Sequence, residues 1–78
     1  MPSRAEFTVE PFVDGDPGPH VRAAVDAARK LGITPEIGPF GTVIAGETDQ
    51  ILEAVTAVLH AGRDAGASRI SLQIDFDV

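Results

Sequence analysis

Apolar and polar residues alternate along two segments of the chain, one near each end. Residues 4–10 place an apolar side chain at every second position, and residues 69–76 repeat the pattern. An alternation of period two is typical of a β-strand with one buried face. We therefore predict a first and a last strand, and Pro11 should end the first because proline cannot donate a ladder hydrogen bond. The predicted buried set is Ala5, Phe7, Val9, Ile70, Leu72, Ile74 and Phe76.

Two longer segments carry apolar residues at spacings of three and four, which predicts two helices. The first begins at Pro19, which suits a first helical turn, and Gly32 is placed to close it. Either Thr48 or Asp49 can cap the second helix, which should end near Gly66.

A hairpin is predicted between the two helices. Residues 33–37 alternate apolar and polar, and residues 42–45 form a short β-branched run, so each favours a strand. Gly38 and Gly41 bracket a Pro-Phe pair between them, and glycine permits the positive φ values that tight reversals need.

The element order β-α-β-β-α-β predicts one α+β domain of ferredoxin-like topology over residues 1–78. Right-handed crossovers place both helices on one face of a four-stranded antiparallel sheet, with strand order 4-1-3-2. The polar positions of the outer segments then point to the uncovered face: Glu6, Thr8, Glu10, Ser71, Gln73 and Asp75.

Composition excludes several classes of function. The 78 residues include no cysteine, so neither a disulfide nor a thiolate metal site is available. The formal net charge of −6 disfavours nucleic acid and anionic membranes, and the absence of Trp and Tyr leaves few platforms for stacking bases. No apolar run approaches the roughly 20 residues of a membrane span, and no leader is visible, so we expect a soluble cytoplasmic protein.

The predicted uncovered face groups carboxylates with hydroxyl and amide side chains. Carboxylates attract a cation, while hydroxyls and amides match the donors and acceptors of a heterocycle. A simply solvated sheet face explains the same residues, since antiparallel sheets commonly have one. The carboxylates of this group are Glu6, Glu10, Glu36 and Asp75, and they surround Thr8, Ser71 and Gln73.

Two hairpin residues are also candidates, each with an alternative role. Thr42 either bonds a ligand or bonds back to its own turn, and its face is undetermined because Val43 and Ile44 are both apolar. Phe40 either stacks on a flat ring or packs into the core.

No catalytic or metal centre is predicted. Asp14 and Asp16 fit a turn better than a calcium loop, which would need a further bidentate carboxylate. His20 and His60 lie far apart in sequence, with no third ligand and no associated nucleophile. Other ferredoxin-like functions lack their residues here: the loop at residues 12–18 has no arginine of the acylphosphatase type, and the predicted sheet face has no exposed aromatics for RNA.

One motif carries a family resemblance. The run Gly-Pro-Phe-Gly-Thr at residues 38–42, followed by a short strand and Gly-Glu, resembles the signature of the small thiamine-binding proteins. The similarity extends to residues 6–11 and 66–69. It implies a ferredoxin-like domain that binds thiamine or its hydroxymethylpyrimidine part, with no cofactor and no chemical step. The site implied would combine sheet-face and hairpin residues: Glu6, Thr8, Glu10, Glu36, Phe40, Thr42, Ser71 and Gln73.

Relatives in that family look like tetramers, and the chain gives its own reasons to associate. An edge strand near residues 33–37 would expose unpaired backbone groups, although Pro35 removes one donor. We therefore predict a homo-oligomer, a dimer of dimers whose sheets face each other. The alternative function is a structural or regulatory assembly module whose open face meets a protein partner.

Overall fold

The computed structural model describes residues 2–11, 18–38 and 41–77. Six elements follow one another in this part of the chain, in the predicted order. They are β1 (Pro2–Glu10), α1 (Pro19–Lys30), β2 (Glu36–Ile37), β3 (Thr42–Glu47), α2 (Thr48–Asp64) and β4 (Arg69–Phe76).

The strands form one sheet in the order β2-β3-β1-β4, and every neighbouring pair is antiparallel. This is the predicted order 4-1-3-2 viewed from the other edge, so the ferredoxin-like α+β fold is confirmed. The central strand β1 sets the register, with Glu6 opposite Val43 on one side and Gln73 on the other.

The core lies between the sheet and the two helices, which pack along each other. Alanines on the inner sides of the helices allow this close approach, because the distance between helix axes depends on the side chains at the contact. Neither helix in the described ranges is long and apolar enough to cross a bilayer. Residues that are at most 5% exposed include Ala5, Phe7, Val9, Ala24, Ala28, Ile44, Ile51, Ala54 and Val58.

Glycines close both helices as predicted. Gly32 follows α1 with φ of +82°, and Gly66 follows α2 with φ of +104°, a region that side chains disfavour. The hairpin glycine Gly38, in contrast, lies outside the left-handed region, and its N–H donates to the Gly41 carbonyl at 2.8 Å. The predicted conformational reason for Gly38 is therefore wrong.

Two element boundaries also differ from the prediction. The second strand contains only Glu36–Ile37, because Pro35 has no N–H to offer a ladder, and Ile33 is buried outside the strand. At α2 the capping position belongs to Glu47, and no side chain caps the helix. The Thr48 hydroxyl lies instead 2.6 Å from the Ser3 hydroxyl, which is a tertiary contact.

The last strand is a sheet edge and is only partly covered. Within the described residues β4 pairs with β1 alone, and Ile70, Leu72 and Ile74 are half-buried against the core. Phe76, which was predicted to face the helices as a buried residue, is 54% exposed. An edge strand has a neighbour on one side only, so its apolar face is harder to bury completely.

Candidate functional site

The uncovered face of the sheet gathers polar residues from neighbouring strands. Directly opposed residues of an antiparallel pair point to the same face. Glu36, Val43, Glu6 and Gln73 therefore form one row across all four strands, and Thr8 with Ser71 begins the next row. We call the part formed by Glu6, Thr8, Ser71 and Gln73 the binding face.

A shallow depression lies on the binding face between β1 and β4. Its volume is about 270 Å³, and it is lined by Glu6, Phe7, Thr8, Ser71, Leu72 and Gln73. Small-molecule sites commonly measure about 300–1,000 Å³ and enclose most of the ligand. One chain therefore forms a floor with polar groups that stays open on its outer side.

Ion pairs flank the depression at its two ends. Arg4 Nη1 lies 3.8 Å from Asp75 Oδ2, and Arg69 Nε lies 3.6 Å from Glu10 Oε2. Both arginines belong to the alternating pattern of their strands, yet neither was among the candidate site residues predicted from the sequence. They balance Glu10 and Asp75, so the face is less acidic than predicted, and Glu6 is the carboxylate left at the depression.

The four side chains of the binding face are available to a ligand. Among the described residues, Glu6, Thr8, Ser71 and Gln73 make no side-chain hydrogen bond or ion pair. They offer a carboxylate, two hydroxyls and an amide within two rows of one strand pair. This arrangement can accept hydrogen bonds, donate them and attract one positive charge.

The remaining candidates from the sequence lie elsewhere. Thr42 is opposite Phe7 and Ile37, on the helix-covered side, and is only 5% exposed. Glu36 is on the uncovered face, but its strand is two strands away from β1, the nearer wall of the depression, so it lies about 10 Å from Glu6 at ordinary strand spacing. Phe40 lies outside the described residues.

Gly41 is a shape-determining position that the sequence interpretation treated only as a turn glycine. A Cβ added there would lie 3.1 Å from the Phe7 carbonyl oxygen and 3.3 Å from Thr8 Cγ2. Glycine therefore lets β3 approach β1 closely beside the binding face. The sequence signal for this role was the position of Gly41 directly before Thr42 in the run at residues 38–42.

The histidines do not join the site. The ring of the buried His20 donates through Nε2 to the Pro11 carbonyl oxygen at 2.5 Å, which ties the start of α1 to the end of β1. His60 is exposed on α2. In the described part of the chain no group of three or more His, Cys, Asp or Glu residues is placed to hold a metal, and Asp14 and Asp16 lie outside it.

Comparison with known proteins gives one family and several related structures. The sequence model of the thiamine-binding protein family matches residues 5–78. A UPF0045 protein of Methanothermobacter thermautotrophicus is 36% identical over 76 residues, covering 94% of this chain and 77% of its own. A hypothetical protein of Methanocaldococcus jannascii superimposes with a TM-score of 0.72 at 26% identity, covering 99% of this chain and 81% of that one.

A solved structure from Thermotoga maritima has the same fold. It covers 96% of this chain and 81% of its own, with a TM-score of 0.57 and 24% identity. That protein is provisionally assigned to thiamine biosynthesis or salvage. At this identity the likeness shows the fold alone.

Proposed function

This chain belongs to the thiamine-binding protein family, and on that premise we propose that its binding face holds thiamine or a related pyrimidine such as hydroxymethylpyrimidine, without a chemical step. The observation that supports the proposal is the depression lined by Glu6, Thr8, Ser71 and Gln73. These side chains have no other partner in the described ranges, so their hydrogen-bonding capacity is open to a ligand.

The chemistry of the ligand class suits these four groups. An aminopyrimidine carries an amino donor next to ring-nitrogen acceptors, and thiamine adds a fixed positive charge. Glu6 can accept from the amino group or attract the cation, and the Gln73 amide both donates and accepts. Thr8 and Ser71 supply hydroxyls that can adopt either role.

The charge of the ligand should decide which member of the ligand class binds more tightly. The chain carries a formal charge of −6, and Glu6 lies at the depression itself. Thiamine should therefore bind more tightly than thiamine diphosphate, whose phosphates would meet a carboxylate. A preference for the diphosphate would contradict this view of the site.

Two threonines on opposite faces of the sheet provide a matched test. Calorimetry should detect thiamine or hydroxymethylpyrimidine with a Kd below about 1 mM, or about −4 kcal/mol. Thr8→Val should weaken binding roughly two- to tenfold, because one hydrogen bond contributes about 0.5–1.5 kcal/mol net. Thr42→Val makes the same chemical change on the buried face and should leave the affinity unchanged.

A charge variant tests the cation preference separately. Glu6→Gln should reduce the affinity for thiamine more than the affinity for neutral hydroxymethylpyrimidine, since only thiamine carries a fixed charge. Glu53→Gln, at an exposed position of α2, is the control for net charge. Absence of binding by all these compounds, or equal effects of Thr8→Val and Thr42→Val, would overturn the proposal.

A further inference from the structure

Gly41 lies beside the β1 half of the binding face and has no side chain to touch it. Among the residues that the structure describes, the three nearest neighbours of a Cβ at Gly41 would all belong to β1. They are the Phe7 carbonyl oxygen at 3.1 Å, Thr8 Cγ2 at 3.3 Å and Glu6 Cγ at 3.6 Å. We propose that Gly41 is a positioning residue, whose missing side chain sets the orientation of the Thr8 hydroxyl and the Glu6 carboxylate toward the ligand. The proposal rests on the function proposed above.

The backbone conformation of Gly41 does not itself require glycine. Its φ lies outside the left-handed region, in contrast to the φ values of Gly32 and Gly66, so an L-residue can adopt it. The close contacts supply the reason instead. Distances of 3.1 Å to a carbonyl oxygen and 3.3 Å to a methyl carbon are tighter than most Cβ contacts in folded proteins. Because the strands are closely packed, an alanine at this position would have to displace part of β1.

The two shortest contacts both act on Thr8. The Phe7 carbonyl belongs to the planar peptide unit that leads into Thr8, so moving this oxygen also tilts the Thr8 backbone. The Thr8 atom nearest to Gly41 is the methyl carbon, so the methyl group faces β3 and the hydroxyl is turned away from it. A β-branched side chain has few allowed χ1 values, so it responds to crowding by changing to another rotamer. The open space at Gly41 therefore keeps the hydroxyl directed away from β3.

The third contact involves the carboxylate of the depression. The stem of Glu6 passes the same open space, with Cγ at 3.6 Å from the position of the absent Cβ. Gly41 thus adjoins both polar groups that β1 contributes to the binding face, whereas Ser71 and Gln73 of β4 are not among its nearest neighbours. Binding groups generally have to be held within about 0.5 Å of their productive positions, so small displacements at Thr8 and Glu6 matter for affinity.

Two glycines of the same hairpin give a matched test in ligand-free protein. Among the described residues, a Cβ at Gly38 would meet only the Gly41 carbonyl oxygen, at an ordinary 3.4 Å. Vicinal NMR couplings between the Thr8 methyl carbon and the backbone nitrogen and carbonyl carbon report the χ1 rotamer. Gly41→Ala should change these couplings and shift the Glu6 side-chain resonances, and Gly38→Ala should leave both unchanged. Unchanged couplings in Gly41→Ala, or the same change in both variants, would overturn the proposal whether or not a ligand binds.

Calorimetry with thiamine and hydroxymethylpyrimidine measures the consequence for binding. Gly41→Ala should weaken the binding of thiamine about three- to tenfold, the loss expected for one misaligned hydrogen bond, and Gly38→Ala should leave the affinity unchanged. Circular dichroism checks that every variant is folded at the temperature of the titration, so a change in stability does not enter the comparison.

A second substitution at Thr8 separates positioning from general damage to the sheet. Thr8→Ser keeps the hydroxyl and removes the methyl carbon that lies closest to the added Cβ. In the Thr8→Ser background, Gly41→Ala should therefore weaken binding by less than about twofold, because the two substitutions act on one contact and are not additive. Thr8→Val keeps a γ-carbon in the crowded position and should not give this rescue. An undiminished effect of Gly41→Ala in the Thr8→Ser background would contradict the positioning role.

Failure of the proposal and failure of the proposed function give different results. A wild-type protein that binds neither compound would remove the proposed function, and the NMR comparison would still decide whether Gly41 positions Thr8 and Glu6. Binding that is weakened by Thr8→Val and unaffected by Gly41→Ala would leave the proposed function intact and overturn the role of Gly41.

Discussion

Neighbouring residues Ile51 and Leu52 of α2 provide a direct test of which helix face is buried. The side chain of Ile51 is fully buried, whereas that of Leu52 is 42% exposed. Replacing either residue by alanine removes the same number of carbon atoms. The two variants should therefore differ in stability mainly through burial.

The expected losses of stability follow from the exposed fractions of the two side chains. Truncating a fully buried isoleucine costs about 2–5 kcal/mol, which combines lost transfer free energy with a cavity term. Leu52→Ala should cost at most about 1 kcal/mol, because much of its surface is already in water and no enclosed cavity results. Alanine slightly favours the helix in both variants, by about 0.7 kcal/mol or less, so the expected gap remains about 2 kcal/mol.

A gap of this size is easy to measure in so small a domain. The total stability of 78 residues should be about 4–12 kcal/mol, so Ile51→Ala removes a large fraction of it. The chain has neither Trp nor Tyr, so urea unfolding should be followed by far-ultraviolet circular dichroism. Thermal midpoints should separate by roughly 10 °C.

The measurement should be made at two protein concentrations, because any self-association of folded chains would raise the apparent stability at the higher concentration. Equal costs for Ile51→Ala and Leu52→Ala at low concentration would refute the helix orientation described above. A Leu52→Ala cost that grows with concentration would identify Leu52 as an interface residue.

Two further pairs of substitutions test local features of the fold by urea unfolding. Ser3→Ala removes a buried hydroxyl that contacts Thr48 at 2.6 Å, and should lower the free energy of unfolding by about 1–3 kcal/mol. Ser71→Ala, its control on the exposed face, should lower it by less than about 0.5 kcal/mol. Equal losses of stability would contradict the buried contact. Gly32→Ala should lower the free energy of unfolding by about 1–2 kcal/mol. The loss comes from its φ of +82° alone, since an added Cβ meets no heavy atom within 4 Å. Gly38 lies outside the left-handed region, so Gly38→Ala should be nearly neutral. A neutral Gly32→Ala would show that the turn relaxes without strain.

Most of the binding face could be predicted from the alternation in β1 and β4. Glu6, Thr8, Ser71 and Gln73 all follow a clean period of two, so their shared face was fixed once the apolar positions were assigned to the core. The ion pairs Arg4–Asp75 and Arg69–Glu10 were not predicted, because each joins residues from opposite ends of the chain through the β1–β4 register.

The order of the elements, the helix ends at Gly32 and Gly66, and the strand order all follow from the amino-acid sequence. These features depend on local periodicity and on the limited number of allowed crossovers. The face of Thr42 could not be predicted, because Val43 and Ile44 give no alternation. Strand pairing sets it: Thr42 lies opposite Phe7, which turns the threonine inward. Tertiary structure likewise left β4 as a long, half-covered edge, because the exposure of a strand depends on its neighbours in the sheet, and its own sequence does not specify them.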